Sequence, residues 1–539
     1  MQRKIKHLKA KVQPKKIVLL QVRTDSKRLP KKCLYPILGI SSILILYRRI
    51  ICKEYKTIIL TSNNKSDDYL VKILRENNIF FFRGDLKNVY KRFIDSCKNF
   101  NDQDIIIRIT ADNLFLDKYF LKDLFKEFLK KSFKYGYVDR NKSKLPLGLG
   151  AEIFRLKTLR SFKPRNYFDK EHVTPQIRRK LKNIGRYKIF SGIDCFNKNC
   201  TLDNIQDYFK IKSLFEKNKK IKILWKDLCK KLKFYKNNLN HSSYKKNFNK
   251  IIIGTAQFGM KYGISNNHKI KIDDIKKILY LAEKIGINNI DTANSYGNSE
   301  KLIGKYIKKK NLNFNIFTKS KLSEHDINNK NSLSLFAKNL KNSKKLIGNK
   351  HLKGFLVHNP QFYIKNKFFF DKEFKKLDIN LGISLNQPSE FKKLSRKIFS
   401  FYQFPFNILD RRWDFILKNK IKKKKYFVRS IFLQGLFFVN QKKIPKIFKK
   451  KFLKIKKKLN FFVKKFNRYD LKDLLINFVR SYKSIDGIVI GLNSFSQFKE
   501  LFFYFYQKPI SKMQRKIIIK SLSVDQNIIS PYKWRLSTK

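Results

Sequence analysis

Four side chains in the second half of the chain could together deliver a proton to a carbonyl oxygen: Asp291, Tyr296, Lys319 and His358. A tyrosine is a poor acid near neutrality, its ordinary pKa being ~10. A neighbouring ammonium such as Lys319 stabilises the phenolate, and a carboxylate such as Asp291 keeps that lysine charged and in place. With His358 hydrogen-bonding the substrate oxygen, the set could protonate an alkoxide as a hydride arrives. In the first half, "LQVRTDSKRLPKK" (20–32) follows an apolar run and offers Arg23, Arg28 and Lys32 as cations, while Asp112 in "RITADN" offers a carboxylate to a metal. Transfer of a nucleotide needs both at one cleft: cations to neutralise a triphosphate, and carboxylates to hold Mg²⁺ against it. Singly, each residue has a plain alternative. Asp291 could cap a helix, His358 could end a strand, Lys319 could be one solvent lysine among many, and Asp112 could be a loop carboxylate.

The elements around these residues separate the alternatives. Before residue 235, β-rich runs at Ile17–Gln21, Thr57–Thr61, Ile79–Arg83 and Ile105–Thr110 alternate with helical patterns. Such alternation predicts an α/β domain with a parallel sheet covered by helices. Ligands of such sheets sit beyond the carboxyl ends of the strands, which puts 23–32 and Asp112 at the mouth of one cleft. A seam follows at "KNNLNHSSYKKNFNK" (236–250), dense in Asn, Ser and Lys and without apolar periodicity. We therefore expect a domain over 1–235, a linker over 236–249 and a second domain over 250–539. In the second, candidate strands at 251–256, 288–293, 314–319, 353–358, 381–386, 402–407, 427–432 and 487–492 are spaced for a (β/α)8 TIM barrel. Asp291, Lys319 and His358 fall on three successive strand ends, where barrel enzymes keep their chemistry.

Composition bounds the partners. Of 539 residues, 124 are Lys or Arg and 40 are Asp or Glu, for a formal net charge of +84. A field of that sign attracts polyanions. The lysines, however, run through the whole chain alongside Asn, Ile and Phe, as a general compositional bias would leave them, and no specific nucleic-acid partner is expected. A polyanion-binding protein on degenerate enzyme folds is the alternative reading, as is a chain with only one active domain. All six cysteines precede residue 230, and the lone C-x4-C of Cys195 and Cys200 lacks the second pair that a zinc site would need. Reduced structural thiols suit a cytoplasmic protein. Ile17–Val22 is too short for a signal segment, and no uncharged run approaches the ~18 residues of a membrane span. No G-x-x-x-x-G-K-[ST] match occurs, against a P-loop NTPase. The sequence leaves the oligomeric state open.

"GTAQFGMKYGISN", "GINNIDTANSYGNSEKLIGKYI", "FTKSKL" and "LVHNP" resemble the aldo/keto reductase family, over about residues 250–505. The resemblance implies that Asp291, Tyr296, Lys319 and His358 form the family's catalytic tetrad. It also implies an NADP(H) cofactor, a small carbonyl substrate, and cofactor phosphates near Gly491, Asn493 and Ser494 of "GIVIGLNSFSQF". Over about 15–215, "LQVRTDSKRLPKKCLYPILG", "VYKRFIDSCKNFNDQDIIIRITADNLFLD", "LPLGLGAEIF" with "KEHVTP", and "CTLDNIQDYFKI" are similar to cytidylyltransferases that activate acidic sugars: the acylneuraminate and 3-deoxy-manno-octulosonate type and their spore-coat polysaccharide relatives. This resemblance implies a nucleotide-diphospho-sugar transferase-like fold, CTP and an acidic sugar as substrates, and Mg²⁺ as cofactor. It further implies nucleotide contacts from Arg23, Ser26, Arg28 and Lys32, metal contacts from Asp112 and Asp203, and a sugar-facing set of Glu152, Glu171 and His172. Asp203 could equally cap the helix that follows it. The family usually carries glycine at the position of Asp25 and often at that of Lys31, so this loop lacks its freest backbone positions.

Overall fold

A computed structural model of the chain describes residues 13–190, 192–217, 220–235, 248–264, 269–322, 326, 331–374, 377–523, 525–531 and 534. The chain divides into two compact units, Met1–Asn238 and Leu239–Lys539. Apart from 248–249, the expected linker lies outside the described residues.

The first unit is built on a seven-stranded sheet of β1 (Lys16–Gln21), β4 (Lys56–Ser62), β5 (Phe81–Gly84), β6 (Ile105–Thr110), β7 (Tyr135–Val138), β8 (Glu152–Arg155) and β9 (Gly185–Tyr187), in the order β5-β4-β1-β6-β8-β7-β9. Two short strands, β2 (Pro36–Ile37) and β3 (Ile40–Ser41), form a separate hairpin. The apolar runs "KIVLLQ" and "IIIRIT" become the central strands β1 and β6, buried on both faces as parallel strands under helices must be. The four strands expected from the sequence pair in parallel; β8 then joins antiparallel to both β6 and β7. The strands β7 and β9 are too short to carry an alternation of their own. From β1 the chain proceeds outward to β4 and β5, and then crosses to β6 on the other side of β1. The carboxyl ends of β1 and β6 thus form a topological switch point, where a crevice opens.

The second unit closes eight parallel strands into a barrel: β10 (Ile251–Gly254), β11 (Asn289–Asp291), β12 (Asn315–Ser320), β13 (Leu352–Val357), β14 (Leu381–Ser384), β15 (Phe401–Pro405), β16 (Lys425–Arg429) and β17 (Gly487–Gly491). All eight candidate strands are present in the expected order. The barrel interior is plugged by aromatic rings, Phe317, Phe401 and Phe427, with centroids 5.1–5.5 Å apart. Glycine makes room for them: a Cβ on Gly354 or Gly382 would lie 2.5 or 2.3 Å from the Phe401 ring. The interior is therefore a packed core, and the chemistry is left to the strand ends. Among the described residues no helix is long and apolar enough to cross a membrane.

Candidate active sites

In the first unit the loop after β1 is held by Asp67, a buried carboxylate in the 3-10 turn Lys65–Asp67 that follows β4. Asp67 accepts hydrogen bonds from the Thr24 amide and hydroxyl (2.8 and 2.6 Å), the Thr61 hydroxyl (2.9 Å) and the Ser62 amide and hydroxyl (3.1 and 2.5 Å). Burial raises its pKa, but these donors outweigh burial and hold it below the usual carboxylate range. The sequence offers one sign of this anchor, the doubled acid in "TSNNKSDDYL", and sequence reasoning passed over it.

The loop so anchored carries Arg23 to Lys32 into the crevice. Lys32 Nζ sits 3.0 Å from both Asp112 Oδ2 and Asp203 Oδ1, with all three side chains mostly buried. Arg28 adds a second cation on Asp203 at 2.8 Å from a largely exposed position, and Arg23 pairs with Glu171 at 3.0 Å. Burial raises the pKa of Asp112, and the Lys32 charge and the Thr110 hydroxyl at 2.5 Å more than reverse this, so Asp112 stays ionised. The Leu202 amide donates to the Asp112 carbonyl (3.0 Å), which brings the Asp203 segment alongside. Asn204, not Asp203, caps the following helix, Ile205–Glu216, and closes a capping box with Asp207. The helix-cap alternative for Asp203 is thereby removed, and its carboxylate points at the two cations.

Three expected residues stand apart from that cluster. Ser26 is spent within the loop, its hydroxyl accepting from the Leu29 amide at 3.4 Å. Glu152 is buried and fully engaged: Arg108 (2.7 Å) reaches one oxygen, while Tyr135 (2.8 Å), Thr174 (2.7 Å) and Arg178 share the other. It therefore acts as the hub of a buried network, and does not offer a free carboxylate to a sugar. His172 is exposed, its ring 4.4 Å from that of Phe168. Beside it Val173 adopts φ 72°, ψ −52°, and the Thr174 amide returns to the His172 carbonyl at 2.9 Å, a strained turn for a β-branched residue.

The loop backbone resolves the two departures from glycine differently. Lys31 is left-handed, at φ 61° and ψ 25°, the conformation glycine adopts without penalty. Asp25 is not among the positive-φ residues, so only its charge bears on phosphate binding.

In the barrel, Asp291 ends β11, Lys319 lies near the end of β12, and His358 directly follows β13. Lys319 Nζ is 2.7 Å from each Asp291 oxygen and 2.8 Å from the Thr292 carbonyl, and the pair is almost wholly buried. Tyr296 stands over it, with Lys319 Nζ 5.2 Å from the ring centroid and the His358 ring 6.2 Å away, edge-on. Gly259 permits this: a Cβ there would fall 1.7 Å from the Tyr296 carbonyl oxygen. Lys319 was expected to lower the phenol's pKa, and the balance runs the other way. Burial, aided by Asp291, pushes Tyr296 up, because the Lys319 charge is neutralised by Asp291; the opposing pull comes from Arg429. Burial and nearby cations push His358 well below its usual pKa, so its imidazole is neutral, and its Nδ1 has no partner among the described residues. The set is a protonated phenol beside a neutral imidazole and a buried ion pair. Sequence reasoning missed Gln403 on β15, whose amide donates to Asp291 at 2.7 Å.

Asp291 and Tyr296 open into a cleft of about 1340 Å³, counting its mouth, lined also by Gly254, Gln257, Gly491, Asn493 and Gln497. Gly491 lies so close to Gln257 that a Cβ would meet its amide at 2.6 Å. The helix Phe495–Tyr506 begins here, capped by Ser494 through the Gln497 amide (3.2 Å), with Asp274 accepting from the Phe495 amide (3.0 Å). The side-chain oxygens of Gln257 and Gln403 have no hydrogen-bond partner among the described residues. The orphan Gln257 acceptor, a glycine-lined wall and a helix N-terminus fit a dinucleotide carrying amide donors and phosphates.

Fold and site define a two-part enzyme: a sheet domain with cations and carboxylates gathered at its switch point, and a barrel with a buried tyrosine over an ion pair. Residues 250–522 match the aldo/keto reductase family and residues 17–247 match the cytidylyltransferase family. The chain belongs to the aldo/keto reductase family through its barrel and carries a cytidylyltransferase domain before it. It is a nucleotidyltransferase and an NAD(P)-dependent oxidoreductase. Among solved structures, it is similar to a cytidylyltransferase from Leptospira borgpetersenii (25% identity, 41% of this chain and 94% of that one, TM-score 0.38). It is similar also to an aldo-keto reductase from Bacillus halodurans (19%, 48% and 91%, 0.37) and to another from a Medee basin deep-sea metagenome library (15%, 51% and 92%, 0.37). No curated protein matches the chain.

Proposed function

We propose that the chain is a bifunctional enzyme of sugar-nucleotide synthesis. Its first domain, 1–235, transfers CMP from CTP to an acidic, nonulosonate-like sugar with release of pyrophosphate. Its second, 250–539 beyond the linker 236–249, reduces a carbonyl with NADP(H). The transferase half rests on Lys32 bridging Asp112 and Asp203 at the switch point, with Arg28 and Arg23 beside them. Arg23, Arg28 and Lys32 neutralise the triphosphate. Asp112 and Asp203 would hold Mg²⁺, which needs hard oxygen ligands and usually takes one or two carboxylates, its other positions going to water and phosphate oxygens. Bound there, the ion would offset charge developing on the phosphates. Glu171, paired with Arg23, and the neighbouring His172 would face the acceptor sugar. The six thiols are all free, five of them buried, and we assign the protein to the cytoplasm.

The reductase half rests on Tyr296, protonated and set over the Lys319–Asp291 pair. Gly491, Asn493, Ser494 and Gln497 would hold the dinucleotide, which when bound supplies hydride. Neutral His358 orients the carbonyl oxygen and Tyr296 gives it the proton, while the Lys319–Asp291 pair underlies the tyrosine ring. The test is incubation with CTP, Mg²⁺ and a panel of nonulosonic acids, following pyrophosphate, in parallel with oxidation of NADPH and of NADH by simple aldehydes. No pyrophosphate with any acid, alongside intact NADPH oxidation, would sink the transferase half; the converse would sink the reductase half.

A further inference from the structure

Arg429 is the last residue of β16, at the carboxyl end of the barrel, and lines the same cleft as Asp291 and Tyr296. Its Nη2 donates to the Leu385 carbonyl (3.1 Å) and to Asn386 Oδ1 (2.8 Å), both just beyond β14. The guanidinium is thus turned toward β14, away from β17 and the start of the helix Phe495–Tyr506. The other charged groups lining the cleft are spoken for. Asp291 takes Lys319, and Glu500 takes Lys472 at 2.8 Å. No carboxylate pairs with Arg429 among the described residues, so one unneutralised positive charge stands beside the proton donor. The segment that follows is held at a conformational cost: Ser430, Leu433 and Gln434 all have positive φ, and the Gln434 carbonyl accepts from the Ile264 amide at 3.0 Å. Strain of this kind persists where surrounding structure fixes it, and it clusters at functional sites.

We propose that Arg429 binds an anionic group, a carboxylate or a phosphate, carried by the carbonyl substrate of the barrel. A planar guanidinium held by one nitrogen keeps its remaining donors for such an anion. Arg429 lines the same cleft as Asp291 and Tyr296, so the anion would sit within one small molecule's length of the reacting carbonyl. The cofactor's phosphates are the other source of the same chemistry, and the orientation toward β14 favours the substrate. The inference rests on the reductase reading above.

The test compares succinate semialdehyde with butanal, matched but for the carboxylate, using the full chain and its Arg429→Gln and Asn386→Ala variants. NADPH binding is followed by fluorescence, and folding by circular dichroism. The unaltered enzyme is expected to prefer succinate semialdehyde in kcat/KM by tenfold or more. Arg429→Gln should cost the semialdehyde at least tenfold more than butanal, mainly in KM, with NADPH affinity changed less than threefold. Asn386→Ala, which only frees the guanidinium, should give a smaller loss with the same selectivity. Equal losses on both aldehydes, no preference in the unaltered enzyme, or a loss of NADPH affinity that accounts for the effect would each overturn the proposal. If neither aldehyde turned over, the reductase reading would be in question, and calorimetry of succinate on the NADP⁺-bound protein would decide this one: binding lost in Arg429→Gln supports it, and no binding overturns it.

Discussion

Lys319 and Asp291 form a buried ion pair in which one ammonium spans both carboxylate oxygens at 2.7 Å. Its consequence falls on Tyr296. With the lysine's charge cancelled, burial decides the phenol's protonation, and Tyr296 is protonated across the neutral range.

Tyr296→Phe removes the proposed proton donor and leaves the ion pair beneath it intact. NADPH oxidation by aldehydes is expected to fall ~10²–10⁴-fold, with pyrophosphate release unchanged. Asp112→Asn should do the reverse, cutting transfer on the order of 10²-fold. Both rates on each purified variant check this; a folded variant that lost both activities equally would refute independent sites.

The reductase should be nearly indifferent to pH across the neutral range. His358 is neutral above its lowered pKa, and Tyr296 is protonated below its raised one, so the working state spans the interval between them. Single-turnover reduction on the NADPH-bound enzyme is expected to be flat from about pH 6 to 9, since neither group has its ordinary pKa. A one-proton loss of rate near pH 6.5 would mean that His358 titrates in the working range.

Glu152 makes the first unit acid-sensitive. Burial alone would raise its pKa, yet Arg108 and Arg178 hold it at about 2 against an ordinary 4.5. A carboxylate depressed in the folded state contributes stability above its unfolded pKa and loses it as pH falls through the folded value, here between 4.5 and about 2. The contribution lost is about 3 kcal/mol. Glu152→Gln should destabilise the unit at neutral pH by roughly 3 kcal/mol, because the buried Arg108 guanidinium and the half-exposed one of Arg178 lose their charged partner. It should also flatten the acid limb. Half-inactivation of CTP chemistry against pH and temperature measures both.

Lys31→Gly should stabilise the nucleotide loop. Relief of a left-handed non-glycine residue is worth ~1–2 kcal/mol, and the added freedom of the unfolded chain takes back ~0.4–1 kcal/mol. The temperature of half-inactivation should rise for CTP chemistry and stay fixed for aldehyde reduction. A fall in the first would show that the Lys31 side chain contributes more than its backbone costs.

Much of this protein is legible in its residues because parallel α/β folds write themselves locally. Each strand is a short apolar run, each functional group follows a strand end, and the order of runs fixes the barrel; hence Asp291, Lys319 and His358 could be located from spacing alone. The crevice residues Arg23, Arg28, Lys32 and Asp112 were reachable by the same rule. What depends on partners distant in sequence was not. The engagement of Glu152 by Arg108 and Arg178, the anchoring of Thr24 by Asp67, and the hold of Gln403 on Asp291 join segments 26–112 residues apart. No local pattern encodes such pairs. Protonation states belong with them, since burial and the nearest opposite charge set them: the sequence supplied Tyr296 and Lys319, and the tertiary structure decided that the lysine's charge goes to Asp291 and that Arg429 has no carboxylate partner among the described residues.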